Sequence, residues 1–186
     1  SVTIEQVTEQ FRAGNLPPME FARQFAPRLQ FILDQLNVHH QIEDFHYFPI
    51  FRAADARLAI GFDVLEGDHH HIHGDMARTA ETANALLQAL QGNSDTLRRC
   101  SEGYADASAV LLKGLVRHLD DEEDLIVPLI LDRGEEELGS RITASAAEWP
   151  SGLRLAPLEK LNRTLVLQRR PLCRKCPQIS ALSCAR

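Results

Sequence analysis

Apolar side chains recur three and four positions apart over most of the first 134 residues. That spacing marks one face of an α-helix, and runs that alternate apolar and polar residues as strands do are missing. The pattern predicts an all-α protein. The longest seam reads Phe25, Leu29, Ile32, Leu36, His39, Glu43, His46, Ile50, and predicts a helix over about 19–51. Pro17-Pro18 suit its start, because proline is tolerated in a first helical turn, and Pro27 is expected to kink it. A second seam, Phe62, Leu65, His69, His73 (or Ile72), Met76, Ala80, Ala83, Leu87, Leu90, predicts a helix over about 55–90. Gly92-Asn93-Ser94 marks a turn, with Ser94 or Asp95 as the cap of a third helix over about 95–131. Its seam is Leu111, Leu115, His118, Glu122, Leu125, Leu129, and Gly134 stops it. Residues 3–12 suit only a short first helix, ending near Gly14-Asn15.

These seams carry histidines and carboxylates where a core would carry leucines. His39 and Glu43, then Pro49, match His118 and Glu122, then Pro128, at identical spacing and 79 residues apart. Residues four apart on a helix stand one above the other, so each pair can grip one ion. The cluster DHHHIHG adds His69 and His73, also four apart. A lone histidine on a seam is usually core packing; the repetition at equal spacing is what points to metal. The segment HHQIED holds two candidate pairs, His39/Glu43 and His40/Asp44. The first continues the apolar seam and aligns with the repeat, so His39 and Glu43 are expected inside, with His40 and Asp44 near the surface. The expected ligands are His39, Glu43, His69, His73, His118 and Glu122. His46, His40 and His70 are candidates for supporting contacts beside them. The two prolines are expected to end or bend the ligand helices, and Asp120, Asp121, Glu123 and Asp124 to form a solvated face.

Unpaired buried carboxylates cost several kcal/mol, which a bound cation offsets. Mixed imidazole and carboxylate donors suit iron, manganese or zinc, and no cysteine lies on the seams. Two equivalent His/Glu pairs suggest two ions with carboxylates free to bridge them.

Composition narrows the class. The 186 residues, 44% of them hydrophobic and 25% charged, fit one folded body with a tail. Residues 1–140 carry 11 basic and 24 acidic side chains, which argues against nucleic acid as a partner. Residues 141–186 reverse the sign, with 9 basic and 2 acidic. Trp149-Pro150-Ser151-Gly152, Pro157, Pro171 and Pro177 break the helical pattern there, leaving a short amphipathic candidate at 157–168. We read 1–140 as a metal-binding helical body and 141–186 as an irregular or disordered, cysteine-containing tail. Cys173-x-x-Cys176 has zinc-like spacing but no second pair completes it. There is no apolar run long enough to span a bilayer and no leader pattern, so a cytoplasmic location is expected. The first residue is Ser, so the start reads as trimmed or incomplete.

HHQIEDFHYFP, DHHHIHG and HLDDEEDLIVPLI, in that order, resemble the HHE cation-binding domains of the hemerythrin-like family over about residues 15–134. The resemblance implies an antiparallel, up-down four-helix bundle around a non-haem di-iron centre with oxo and carboxylate bridges. By motif position it implies the same six ligands, with Glu43 and Glu122 bridging. It also implies O2, NO or redox sensing rather than catalysis, with Leu36, Leu65, Leu115 and Leu125 limiting water. One departure is plain. Family members usually add a histidine from an earlier helix, and none precedes His39. Either upstream sequence is missing or the site keeps an open position, and an incomplete bundle would favour a homodimer or a protein partner. Competing expectations are a di-iron oxidase or peroxidase, and iron or zinc buffering with a structural metal. The first differs in that its usual motif is Glu-x-x-His, the reverse of the order here.

Overall fold

The computed structural model describes residues 3–134 and Leu138. The expectations for the tail at 141–186, including Cys173 and Cys176, lie outside the described residues. No strand occurs among the described residues, as the periodicity predicts.

Helix α1 is Ile4–Arg12. Thr3 caps it by accepting the Gln6 N–H at 3.2 Å, and the Gln6 side chain accepts the Thr3 N–H at 2.9 Å. Gly14 turns the chain with φ +74°, a conformation that glycine adopts without steric cost. Helix α2, Pro18–Ile42, starts on a proline as expected. It runs without a break through one wide π-type turn, Glu43–Tyr47, into α3, Phe48–Ala54. A 3-10 turn, Ala56–Leu58, leads into α4, Ala59–Ala89, and α5 is Ser94–Arg133. The cap of α5 is Asn93, one residue earlier than expected, because its Oδ1 accepts the Thr96 N–H at 2.8 Å. Neither Pro27 nor Pro128 ends its helix, and Pro49 sits in the first turn of α3, where its missing N–H is harmless.

Helices α4 and α5 pack along one another. Gly61 lies against Leu125, Asp68 meets Arg117, His69 meets His118, and Gly114 lies near Ile72 and Asp75. Gly61 has a clear physical role, since a Cβ there would stand 2.8 Å from Leu125 Cδ1.

Two apolar clusters fill the core. One gathers Val7, Phe21, Phe25, Leu29, Leu33, Ile72, Met76 and Leu111, with Phe11 stacked on Phe21 at 4.3 Å. The other gathers Phe48, Phe51, Phe62, Leu65, Leu129 and Leu138. Along α2, α4 and α5 alike, the buried histidines fall between these two clusters.

The buried face of α2 differs from the expected one. It reads Phe21, Phe25, Leu29, Leu33, Asn37, His40, while Ile32 is 48% exposed. The aromatic residues fix this face early, steps of four carry it through Leu33 to Asn37, and a step of three reaches His40. The π turn then inserts an extra residue, which brings Glu43 and His46 inward as well.

Candidate metal centre

Four elements each deliver part of one polar cluster in the core. α2 supplies His39 and His40, and the π turn supplies Glu43 and Asp44. α4 supplies His69 and His73, and α5 supplies His118 and Glu122. His40, Glu43, His69 and His118 are all buried, and each offers a donor atom within 4.8 Å of the others. His39, Glu43 and Glu122 form a second such group on the more exposed side. Glu43 belongs to both.

The sequence reading therefore needs a correction at its first pair. His40, expected near the surface, is completely buried, whereas the His39 side chain is 48% exposed at the rim. The cause is the register of α2 just described. His39 still meets Glu43, its Nε2 lying 3.1 Å from Oε1. Asp44, also expected outside, is part-buried and points inward, where His69 Nδ1–H donates to its Oδ1 at 2.7 Å. His73 joins neither group; its Nε2 lies 3.1 Å from Nδ1 of His40. His46 is buried beside Tyr47, with ring centroids 5.1 Å apart. His70 is exposed, and so is His71, which bonds the Gly67 carbonyl at 2.9 Å. Asp120, Asp121, Glu123 and Asp124 are exposed as expected.

The imidazoles are packed ring on ring. His40 stacks on His69 with centroids 4.0 Å apart and planes 11° apart, and His118 stands edge-on to His69 at 4.7 Å. His69 and His118 face each other through their Nε2 atoms at 3.1 Å. Burial, with His69 and the other imidazoles adding to it, pushes His40 down to about 2. Burial and His69 also lower His73 and His118. Burial would lower His69 too, but its hydrogen bonds to Asp44 and Glu43 raise it to about 9. Among the carboxylates, burial and the hydrogen bond with Glu43 raise Glu122 to about 7. Glu43 moves the other way: burial works to raise it, and hydrogen bonds from His69 and Glu122 outweigh burial and lower it. Neutral imidazoles and an ionised carboxylate are the forms that bind a cation.

Three atoms at the centre test whether a metal fits. His40 Nε2 and His118 Nδ1 are buried with no hydrogen-bond partner in the protein, and the buried Glu43 Oε2 has His69 Nε2 at 3.4 Å. Buried polar atoms are rarely left unpaired. In a neutral His69 the Asp44 bond holds the proton on Nδ1, so its Nε2 carries the lone pair that faces His118. A cation would take up such lone pairs, so the donor set fits one.

A family model, the hemerythrin HHE cation-binding domain, matches residues 3–130. The chain belongs to the hemerythrin HHE cation-binding family. No curated protein and no solved structure matches it. Membership in this family, together with the two donor groups, points to metal-cation binding. No helix among the described residues is long and apolar enough to cross a membrane.

The two groups could not have been separated from spacing alone. The stripe through Leu33, Asn37 and His40 reads as the more polar one, which hides His40 as an inward residue. The available signal was the step of four from Phe21 to Leu33, which leads to Asn37 and His40.

Proposed function

We propose that this hemerythrin-family chain holds two metal ions, iron foremost, in an antiparallel four-helix bundle, and binds O2, NO or a related small ligand there as a sensor or carrier. The observation that carries this reading is Glu43, shared by two donor groups. One ion would take His40, His69, His118 and Glu43, and the other His39, Glu122 and the second oxygen of Glu43. Bound iron would supply the ferrous/ferric couple and an open coordination position. The protein's part is to keep His40, His73 and His118 neutral, hold Glu43 ionised and exclude water with Leu65, Phe48 and Phe62.

His73 acts in this scheme through His40 rather than on an ion. Its contact with Nδ1 leaves His40 Nε2 facing the centre, and Asp44 does the same for His69 through Nδ1. The side holding His39 and Glu122 is the more exposed, and the small ligand would reach the centre there.

The test is anaerobic titration with ferrous ion followed by nitric oxide. Iron uptake that saturates at two per chain, and a new visible absorption on adding NO, is the expected result. Zinc uptake alone, or iron with no response to NO or O2, would point to a buffering or structural metal instead.

A further inference from the structure

Two buried carboxamides lie on α2 beside the imidazole cluster. Asn37 is completely buried between Leu33 and His40, and neither its Oδ1 nor its Nδ2 has a partner. Gln41 is 7% exposed, and its Nε2 is also unpartnered. Residues four apart on a helix are neighbours, with Cβ atoms about 5–6 Å apart. Asn37 lies one turn before His40 on the same buried face, a rise of about 4.5 Å along the axis. Both amides flank His40 on α2, at three residues before it and one after.

An unmade hydrogen bond in a core is costly, and apolar side chains of the same shape would remove that cost. Leu33 and Leu29 show that the same stripe carries leucine elsewhere. Two adjacent NH2 groups with no acceptor in the protein describe a place prepared for an acceptor that arrives from outside.

We infer that Asn37 and Gln41 form a hydrogen-bonding subsite for the small ligand of the centre, donating amide N–H groups to an anionic or partly negative acceptor atom. This rests on the metal-binding reading above and adds the residues that select the ligand. The subsite favours ligands whose outer atom accepts a hydrogen bond over ligands of equal size that accept poorly.

Azide is the probe, with Asn37→Leu and Gln41→Met as the variants, since both roughly keep side-chain volume. Iron content per chain should match the unmodified protein in both. Azide should bind the iron-loaded Asn37→Leu protein about tenfold more weakly, the loss expected for one hydrogen bond to a charged acceptor. The metal-free Asn37→Leu protein should melt at the same temperature as the unmodified chain or above it. Unchanged azide binding at full iron content overturns the subsite. So does a metal-free variant that melts several degrees lower, because the amide would then be serving the fold. The melting comparison needs no iron. An unmodified chain that takes up no iron therefore overturns the metal centre and is told apart from failure of the subsite.

Discussion

Asp44 shows how one carboxylate outside the donor groups can govern the centre. It accepts the Nδ1 proton of His69 at 2.7 Å, and this fixes both the tautomer and the ring plane. Removing such a partner typically costs 10–100-fold in metal affinity. Asp44→Ala should therefore lower iron affinity by at least about tenfold in competition with a chelator, with the chain still folded. Affinity equal to that of the unmodified protein would show that His69 needs no such support. At this scale the sequence was legible in kind and not in detail. The repeat exposed Glu43, His118 and Glu122 as site residues, since each aligns with its copy. It left the choice between His39 and His40 to the phase of one helix, which depends on how Phe21 and Phe25 pack far from the site. Asp44, expected near the surface, faces inward for the same reason.

Among the elements, the corner between α3 and α4 is held by charge. Asp55 accepts the Arg57 N–H at 3.0 Å, pairs with the Arg57 side chain, and bonds Arg133 at the end of α5 at 3.2 Å. The Arg57 hydrogen bonds hold its carboxyl well below the usual aspartate range. A carboxylate lowered on folding stabilises the protein above its unfolded value, about 3.9, and that contribution is lost as the pH falls through the folded value. Asp55→Asn should melt lower than the unmodified chain at neutral pH, and the gap should close as the pH drops below about 4. A gap as wide at pH 2 as at neutral pH would mean that the corner is held by something other than this charge. The α4–α5 contact makes a second demand. Gly61→Val should cost no more than about 1 kcal/mol in urea unfolding, because the atoms in its way are the free ends of the half-buried Leu125 side chain, which can turn aside. Prolines, glycines and the apolar period made the helices readable to within a few residues. The π turn at Glu43–Tyr47 was not readable, since no residue in EDFHY marks it.

Across the molecule, the donor cluster sits between two apolar clusters, so metal and fold stabilise one another. Chelation of the metal should lower the melting temperature, and readdition of ferrous ion should restore it. A free concentration 1,000 times the dissociation constant corresponds to about 4 kcal/mol. An unchanged melt would place the metal outside the folded core. Among the described residues, Ile32, Leu112, Val116 and Leu119 leave apolar surface exposed. All-helical architecture and membership in the hemerythrin family were legible because three spaced motifs survive in order. The division of the donors into two groups was not, because only the packed helices bring Glu43 within reach of both His39 and His69. The sharing of Glu43 is the central claim, and metal content measured on the unmodified chain and on Glu43→Ala tests it most directly. About two irons per chain are expected in the first, and the loss of both in the second, because among the described residues Glu43 alone belongs to both donor groups. Retention of both irons by Glu43→Ala would contradict it.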